Sequence, residues 1–179
     1  MPVWNFGCGM SNFNGAKLAT VSHLPFHLST LICIGVYDAT TRARFHRYYD
    51  ENYGNYGNYG PPPSMHPPSM HWTLALLLTG ALFCFLGYLI AGIGLVTSIR
   101  KVLFGSLAII GFGALLFVIG LCGNAVILMS YHAPYGIIFI PLIIYYLTLQ
   151  VWSWCLIFGT ALETMNSPTY PKDGPILLQ

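Results

Sequence analysis

The sequence predicts an all-α protein, an integral membrane helical bundle. Of its 179 residues, 55% are hydrophobic and 7% are charged, and the mean hydropathy is +0.64. A surface that faces water needs far more charge than this. Between Glu51 and Glu163 the only formal charges are those of Arg100 and Lys101. Nearly all of that region is therefore apolar enough to lie in lipid.

Three transmembrane helices are predicted in this region, over residues 73–99, 102–129 and 137–162. At about 1.5 Å rise per residue each helix reaches roughly 40 Å, against a hydrocarbon core of about 30 Å. Their ends therefore lie in the headgroup layer, or the helices tilt. Together they form a predicted three-helix core over residues 72–162, followed by a C-terminal tail, residues 163–179.

A fourth span is an open question at residues 18–37, within an N-terminal segment that covers residues 1–51. The run is long enough to cross a bilayer. It contains His23, His27 and Pro25, and these polar and helix-breaking residues count against a span. Three spans and four spans both remain open, and four spans would place both termini on the same side of the membrane.

The orientation follows from Arg100 and Lys101, which lie in the short connection SIRK between two of the predicted spans. The positive-inside rule places this connection on the cytosolic side. The loop at residues 130–136 then lies outside and the C-terminal tail inside. Residues 52–71, the linker before the three-helix core, are also expected outside.

This linker consists of three copies of NYG followed by two copies of PPSMH. Such a composition breaks helices and builds no hydrophobic core. It predicts a flexible spacer. The alternative is a tyrosine-rich polyproline-II surface for a partner.

Small residues recur every seven positions in two of the predicted spans. They are Gly80, Gly87 and Gly94 in one span, and Ser106, Gly113 and Gly120 in the next. A recurrence of seven keeps these positions on one side of a helix, where a neighbouring backbone can approach closely. We therefore expect the two helices to form a tightly packed antiparallel hairpin. The same stripes would also suit a partner's helix.

The last span contains polar and aromatic residues that need a structural explanation. Gln150 lies far enough into the span that its amide should seek a partner on another helix, and Asn124 is the candidate. Pro141 predicts a bend. Trp152 and Trp154 are expected to contribute to helix packing, or alternatively to contact lipid headgroups.

The sequence predicts no catalytic residue, no cofactor and no metal site. The three spans of the core contain no ionisable group at membrane depth, which argues against ion-coupled transport. His23 and His27 have the i, i+4 spacing of a metal-binding pair, but Pro25 lies between them and no acidic residue or cysteine is near in sequence. Hydrolase, zinc-protease and phosphate-loop motifs are missing. We expect membrane lipid and other membrane proteins, or further copies of the chain, as partners, and no nucleic acid.

The C-terminal tail contains a short pattern that resembles a sorting signal. Asp173 precedes Leu177 and Leu178 with three residues between, as in the acidic dileucine signals read by clathrin adaptors. This pattern predicts traffic through the plasma membrane and endosomes. The alternative is a disordered tail with an apolar end.

A family resemblance rests on a span that ends in SIRK, the following KVLFGSLAIIGFGALLFVIGLCGNAVILMS, and a short loop in which PYG opens the last helix. Over residues 72–160 this arrangement looks like the last three helices of the claudin and peripheral-myelin-protein superfamily, which includes the calcium-channel gamma subunits. The resemblance implies an antiparallel four-helix bundle that acts by adhesion, barrier formation or channel modulation. One alternative is an accessory subunit of a respiratory or ATP-synthase assembly in the mitochondrial inner membrane. The other is a small oligomeric channel.

Overall fold

Four helices account for nearly all of the chain that the computed structural model describes, which is residues 10–53, 68–131 and 133–166. The helices are α1 (Asn12–Tyr53), α2 (Pro68–Thr97), α3 (Arg100–Tyr131) and α4 (Ala133–Asn166). The predicted all-α class is confirmed.

Each helix contains a stretch long and apolar enough to cross a membrane. These stretches are Asn12–Thr40, Trp72–Thr97, Arg100–Ile127 and Ile140–Thr164. The chain is therefore an integral membrane protein in which α1 has the length and composition of a fourth span. The apolar stretch of α1, Asn12–Thr40, begins earlier and ends later than the predicted range 18–37.

The helix boundaries differ from the predicted domain limits at three places. α2 begins at Pro68, inside the predicted linker, and α1 continues to Tyr53. Only residue 132 separates α3 from α4, where the sequence predicted a loop over residues 130–136. Residues 54–67, which contain most of the repeats, lie outside the described residues.

Proline does not interrupt either helix that contains it. α1 runs continuously through Pro25 and α4 through Pro141. The expectation that Pro25 would disturb the helix around His23 and His27 is therefore wrong. Proline is tolerated in membrane helices because neighbouring helices and hydroxyl side chains can satisfy the backbone groups that it frees.

The four helices form an antiparallel ring in which α1 packs on α2 and α4, and α3 packs on the same two helices. The α2–α3 interface is the most extensive of the four. The α2–α3 connection, the beginning of α1 and the end of α4 lie together at one end of the bundle, which we call the turn end. At this end the Asn12 side-chain amide donates to Glu163 Oε1 at 2.6 Å, which joins α1 to α4.

Two apolar clusters fill the bundle. The larger lies toward the turn end and contains Ala16, Ala19, Tyr88, Ala91, Leu95, Leu103, Leu107, Ile110, Leu156, Ile157 and Ala161. The smaller lies toward the opposite end and contains Leu77, Ala81, Phe117 and Tyr146. Outside the clusters each helix exposes large apolar side chains, such as Val21, Ile93, Leu115 and Ile144. In a bilayer these outward side chains face lipid.

The α2–α3 connection is a tight turn. Ser98 adopts a left-handed backbone conformation with a φ of 54°. The Ile99 carbonyl then accepts hydrogen bonds from the backbone N–H groups of Val102 at 3.1 Å and Leu103 at 3.2 Å. Because the turn is this short, α2 and α3 lie side by side, from Gly94 beside Leu103 to Thr73 beside Gly123.

Candidate functional site in the bundle core

Two histidines of α1 lie in the core of the bundle. His23 is 7% exposed and His27 is completely buried. They share one face of α1 with Ala16 and Ala19, because residues three or four apart in a helix point the same way. The face that binds α1 to the other helices therefore includes two ionisable side chains at membrane depth.

His23 forms a hydrogen bond with α4. Its Nε2 lies 2.8 Å from Ser153 Oγ, and the Ser153 hydroxyl donates its own hydrogen to the Leu149 carbonyl at 2.8 Å. Since that hydrogen is used, Ser153 Oγ accepts from His23, and the ring proton of the neutral imidazole lies on Nε2. The other ring nitrogen, Nδ1, is then an acceptor.

The His23 ring stacks on Tyr88 of α2. The ring centroids are 4.5 Å apart and the planes differ by 4°. His27 lies near both rings, 5.8 Å from His23 and 5.9 Å from Tyr88, with an interplanar angle of 20° in each case. The three rings form a nearly parallel group that joins α1 to α2.

On the side away from the turn end, His27 is closed in by aromatic rings. Phe117 of α3 and Tyr146 of α4 approach it in edge-to-face geometry, with centroid distances of 6.0 Å and 6.2 Å. Phe117 and Tyr146 also contact each other at 4.7 Å. His27 therefore contacts side chains of the three other helices.

Several buried polar atoms of this group have no hydrogen-bond partner among the described residues. They are His23 Nδ1, both ring nitrogens of His27, the Tyr88 hydroxyl oxygen and Gln150 Oε1. A buried polar atom without a partner costs about 1–3 kcal/mol. Such a concentration is unusual for a site that serves packing alone, and an ionisable residue within a membrane is a candidate functional residue. We call His23, His27, Tyr88, Gln150 and Ser153 the histidine centre.

Cys84 lies beside the histidine centre and links α2 to α3 and α4. Its sulfur is 3.8 Å from the Ile110 carbonyl oxygen, 3.7 Å from the Tyr146 hydroxyl and 4.0 Å from Gln150 Nε2. Among the described residues, no three His, Cys, Asp or Glu side chains are grouped so that they would hold a metal ion.

The expected pairing of Asn124 with Gln150 is not what the structure contains. Asn124 donates its side-chain amide to the Gly120 carbonyl of its own helix at 2.9 Å, while Gln150 is directed to Cys84. The two side chains do not meet because they lie at different depths along the bundle. Gly113 faces Cys84, so Asn124 lies eleven residues, or about 16 Å, beyond the level of Gln150 along α3.

The predicted glycine stripes face each other across the α2–α3 interface. A Cβ on Gly113 would lie 2.7 Å from the backbone nitrogen of Cys84, and one on Gly120 would lie 2.8 Å from that of Leu77. A Cβ on Gly87 would lie 2.6 Å from Ile110 Cγ1.

The remaining stripe positions belong to the same interface. A Cβ on Gly80 would overlap the backbone of Phe117, and one on Gly94 would lie 2.9 Å from Leu103 Cδ2. Ser106 is buried and its hydroxyl donates to the Leu103 carbonyl at 2.7 Å. Both stripes therefore lie in the α2–α3 interface, inside the bundle.

One glycine contact was missed from the sequence, and Trp154 packs through a specific hydrogen bond. A Cβ on Gly123 would lie 2.5 Å from Thr73 Cγ2, although Gly123 is outside the seven-residue pattern. Trp154 of α4 donates its indole N–H to the Leu107 carbonyl of α3 at 3.3 Å.

The other predicted residues lie apart from the histidine centre. Arg100 begins α3 at the turn end and Lys101 follows it as an exposed residue. Asp173, Leu177 and Leu178 fall outside the described residues, so the sorting signal stays a prediction.

Comparison of the chain with protein-family models, with curated proteins and with solved structures finds no match.

The histidine centre was not predicted because polar residues in residues 18–37 were taken only as evidence against a membrane span. A usable signal is present: Asn12, Thr20, His23 and His27 recur at helical spacing on one face. Polar residues on a single face of a membrane helix mark the side that points into the bundle.

Proposed function

We propose that this membrane protein acts without catalysis, through helix–helix and protein–protein contacts, in a structural or channel-modulating role like that of the claudin-like proteins it resembles. The four apolar helices make the chain an integral membrane protein. The partner-binding role is the proposal.

The observation that carries the proposal is the length of α1. Its apolar stretch ends at Thr40, but the helix continues to Tyr53. The extension, residues 41–53, adds roughly 20 Å of helix beyond the apolar stretch. Arg42, Arg44 and Arg47 lie in this extension. Because the extension continues a helix of the bundle and carries these three basic residues in its sequence, we propose it as the segment that meets a partner.

This extension favours contact with a partner subunit over junctional adhesion. In the claudin-like proteins the corresponding loop contains a Trp, a Gly-Leu-Trp sequence and two cysteines, whereas residues 38–71 here contain neither Trp nor Cys. Residues 38–53 instead continue α1 as helix. A permanent partner would make this chain an accessory subunit of a larger assembly, and that is the second form of the proposal.

The test is purification of the C-terminally tagged protein from its source cells in mild detergent, with quantitative mass spectrometry. We expect a membrane protein at a fixed stoichiometric ratio. Channel or junction proteins of the plasma membrane would support the claudin-like form. Respiratory or ATP-synthase subunits would support the accessory-subunit form and a mitochondrial inner-membrane location.

A variant set makes this test specific for the extension. Replacement of Arg42, Arg44 and Arg47 by glutamine is expected to reduce partner recovery at least about tenfold, since charge pairs at an interface contribute strongly to specificity. Lys172→Gln, a neutralised cation in the tail, is the matched control. Purification of the unsubstituted protein as a monomer without a stoichiometric partner would contradict the proposal.

A further inference from the structure

The histidine centre has more hydrogen-bond acceptors than donors. With its ring proton on Nε2, His23 presents Nδ1 as an acceptor, and Gln150 Oε1 is a second. Neutral His27 supplies one acceptor and one donor, and the Tyr88 hydroxyl supplies a further donor. These are the buried atoms without partners among the described residues. The species that would complete the centre is therefore a hydrogen-bond donor.

We propose that the histidine centre is a proton-binding site in the bilayer interior, where His23 and His27 together take up one proton that enters from the turn end of the bundle. A proton is the smallest donor. Imidazole is the side chain that ordinarily gains and loses one near physiological pH. This inference is independent of the proposed partner-binding function.

The surroundings determine how the proton is held. The face of the Tyr88 ring, parallel to His23 at 4.5 Å, stabilises a positive imidazolium through its π electrons. Among the described side chains, the titratable groups near the histidines are Cys84 and Tyr88 from α2 and Tyr146 from α4, and the α3 ring beside them is that of Phe117.

No formal counter-charge is adjacent among the described side chains. On α1 and α4 the nearest acidic residues are Asp38 and Glu163, each about three helical turns away. Lys17 of α1 lies toward the turn end, with its ammonium 4.2 Å from the centre of the Phe13 ring. A buried positive charge without a partner is costly. Proton binding therefore weakens the packing of α1 against α2 and α4.

Access from the turn end follows from the distribution of polar residues. Asn12 and Thr20 of α1, together with Thr160 and Thr164 of α4, are buried between the turn end and the histidines. On the opposite side, His27 meets Phe117 and Tyr146. Buried polar side chains therefore lie between the histidines and the turn end, whereas the described contacts of His27 on its other side are aromatic rings.

The test is hydrogen–deuterium exchange with mass spectrometry on the full-length protein in lipid nanodiscs, at about pH 8 and about pH 4, the acidic value being low because a buried positive charge is costly. After correction for the chemical pH dependence of exchange, we expect backbone exchange in residues 12–30 to rise about tenfold or more at the acidic pH. Exchange in α3, which contributes no titratable group to the centre, should change less. Equal corrected exchange of α1 at both pH values would overturn the proposal.

Variants separate this site from general acid sensitivity. The double variant His23→Gln/His27→Gln should lose the acid response, whereas His132→Gln, in the α3–α4 connection, should retain it. An acid response in the double variant equal to that of the unsubstituted protein would also overturn the proposal. Helicity and elution volume at the alkaline pH establish whether the double variant folds. If it does not, His23→Gln and His27→Gln are measured singly, and each should reduce the response by about half or more.

Discussion

The imidazole of His23 lies parallel to the phenol ring of Tyr88, with centroids 4.5 Å apart and planes within 4°. This contact joins α1 to α2 at the same level as the His23–Ser153 hydrogen bond joins α1 to α4. A polar residue within an apolar span is tolerated here because neighbouring helices supply both a ring and a hydroxyl oxygen. The histidines thus form part of the interface that fixes α1 in the bundle.

The Ser153 hydroxyl should be more important than its size suggests. Ser153→Ala removes the acceptor for His23 and leaves Nε2–H buried without a partner, at a cost of about 1–3 kcal/mol. A lower thermal transition in detergent is expected. Ser29→Ala is the matched control, because Ser29 is exposed and its hydroxyl contacts only the Phe26 carbonyl of its own helix. Equal transitions for the two variants would count against the His23–Ser153 hydrogen bond.

The α2–α3 interface should not tolerate large side chains at its glycines. In Gly113→Leu or Gly87→Leu the added atoms meet the facing backbone, and overpacking of this kind typically costs about 1–3 kcal/mol or more. Both variants should accumulate poorly and unfold at lower temperature.

Gly105→Leu provides the control for these two variants, since a Cβ at Gly105 has nothing within 4 Å. It lies on α3, as Gly113 does, and should keep the yield and thermal stability of the unsubstituted protein. If Gly113→Leu behaves like Gly105→Leu, the close approach of α2 and α3 is wrong.

Trp154 should stabilise the α3–α4 interface through its indole N–H. Trp154→Phe keeps an aromatic ring beside Phe158, which Trp154 stacks on at 5.4 Å, but removes the hydrogen bond to the Leu107 carbonyl. The expected loss is about 0.5–1.5 kcal/mol, measured as a lower thermal transition. Trp72→Phe is the control, because Trp72 is 75% exposed. Greater destabilisation by Trp72→Phe would refute this role for Trp154.

Two substitutions of Ser98, the left-handed residue of the α2–α3 turn, should change thermal stability in opposite directions. Ser98→Gly removes the strain of a non-glycine residue at a φ of 54°, which is about 1 kcal/mol for a side chain in this region. Ser98→Val increases the strain, since branching at Cβ crowds this conformation further. Thermal transitions should therefore rise for glycine and fall for valine. The reverse order would be incompatible with the turn.

The tail pattern predicts a trafficking phenotype without a stability effect. Leu177→Ala/Leu178→Ala should raise the amount of protein at the cell surface and slow its uptake, as measured by surface biotinylation. Pro175→Ala, within the same tail, is the control. If surface level and uptake are unchanged in the double variant, the predicted sorting signal is wrong.

The sequence was sufficient to predict the helical class and the three strongest spans, because charge is nearly absent over a long region and each span is longer than a bilayer requires. The seven-residue spacing of Gly80, Gly87 and Gly94 also identified residues that lie at the α2–α3 interface. Such patterns are local, so they can be read from one chain segment at a time.

The features that sequence reasoning missed depend on contacts between distant segments. His23 is acceptable in α1 only because Tyr88 and Ser153, from two other helices, surround it. The pairing of Asn124 with Gln150 failed for a related reason: matching chemical types does not establish equal depth. Gln150 instead meets Cys84 on α2.

The most direct test of the account is the sidedness of the two termini relative to the linker. Small epitope tags at the N-terminus, at the C-terminus and within residues 54–67 would be probed in intact and permeabilised cells or vesicles. Four spans with α1 in the bundle predict that the two termini lie on one side and the linker on the other. If the N-terminus and the linker lie on the same side, opposite the C-terminus, α1 does not cross the membrane. The histidine centre described here would then not exist.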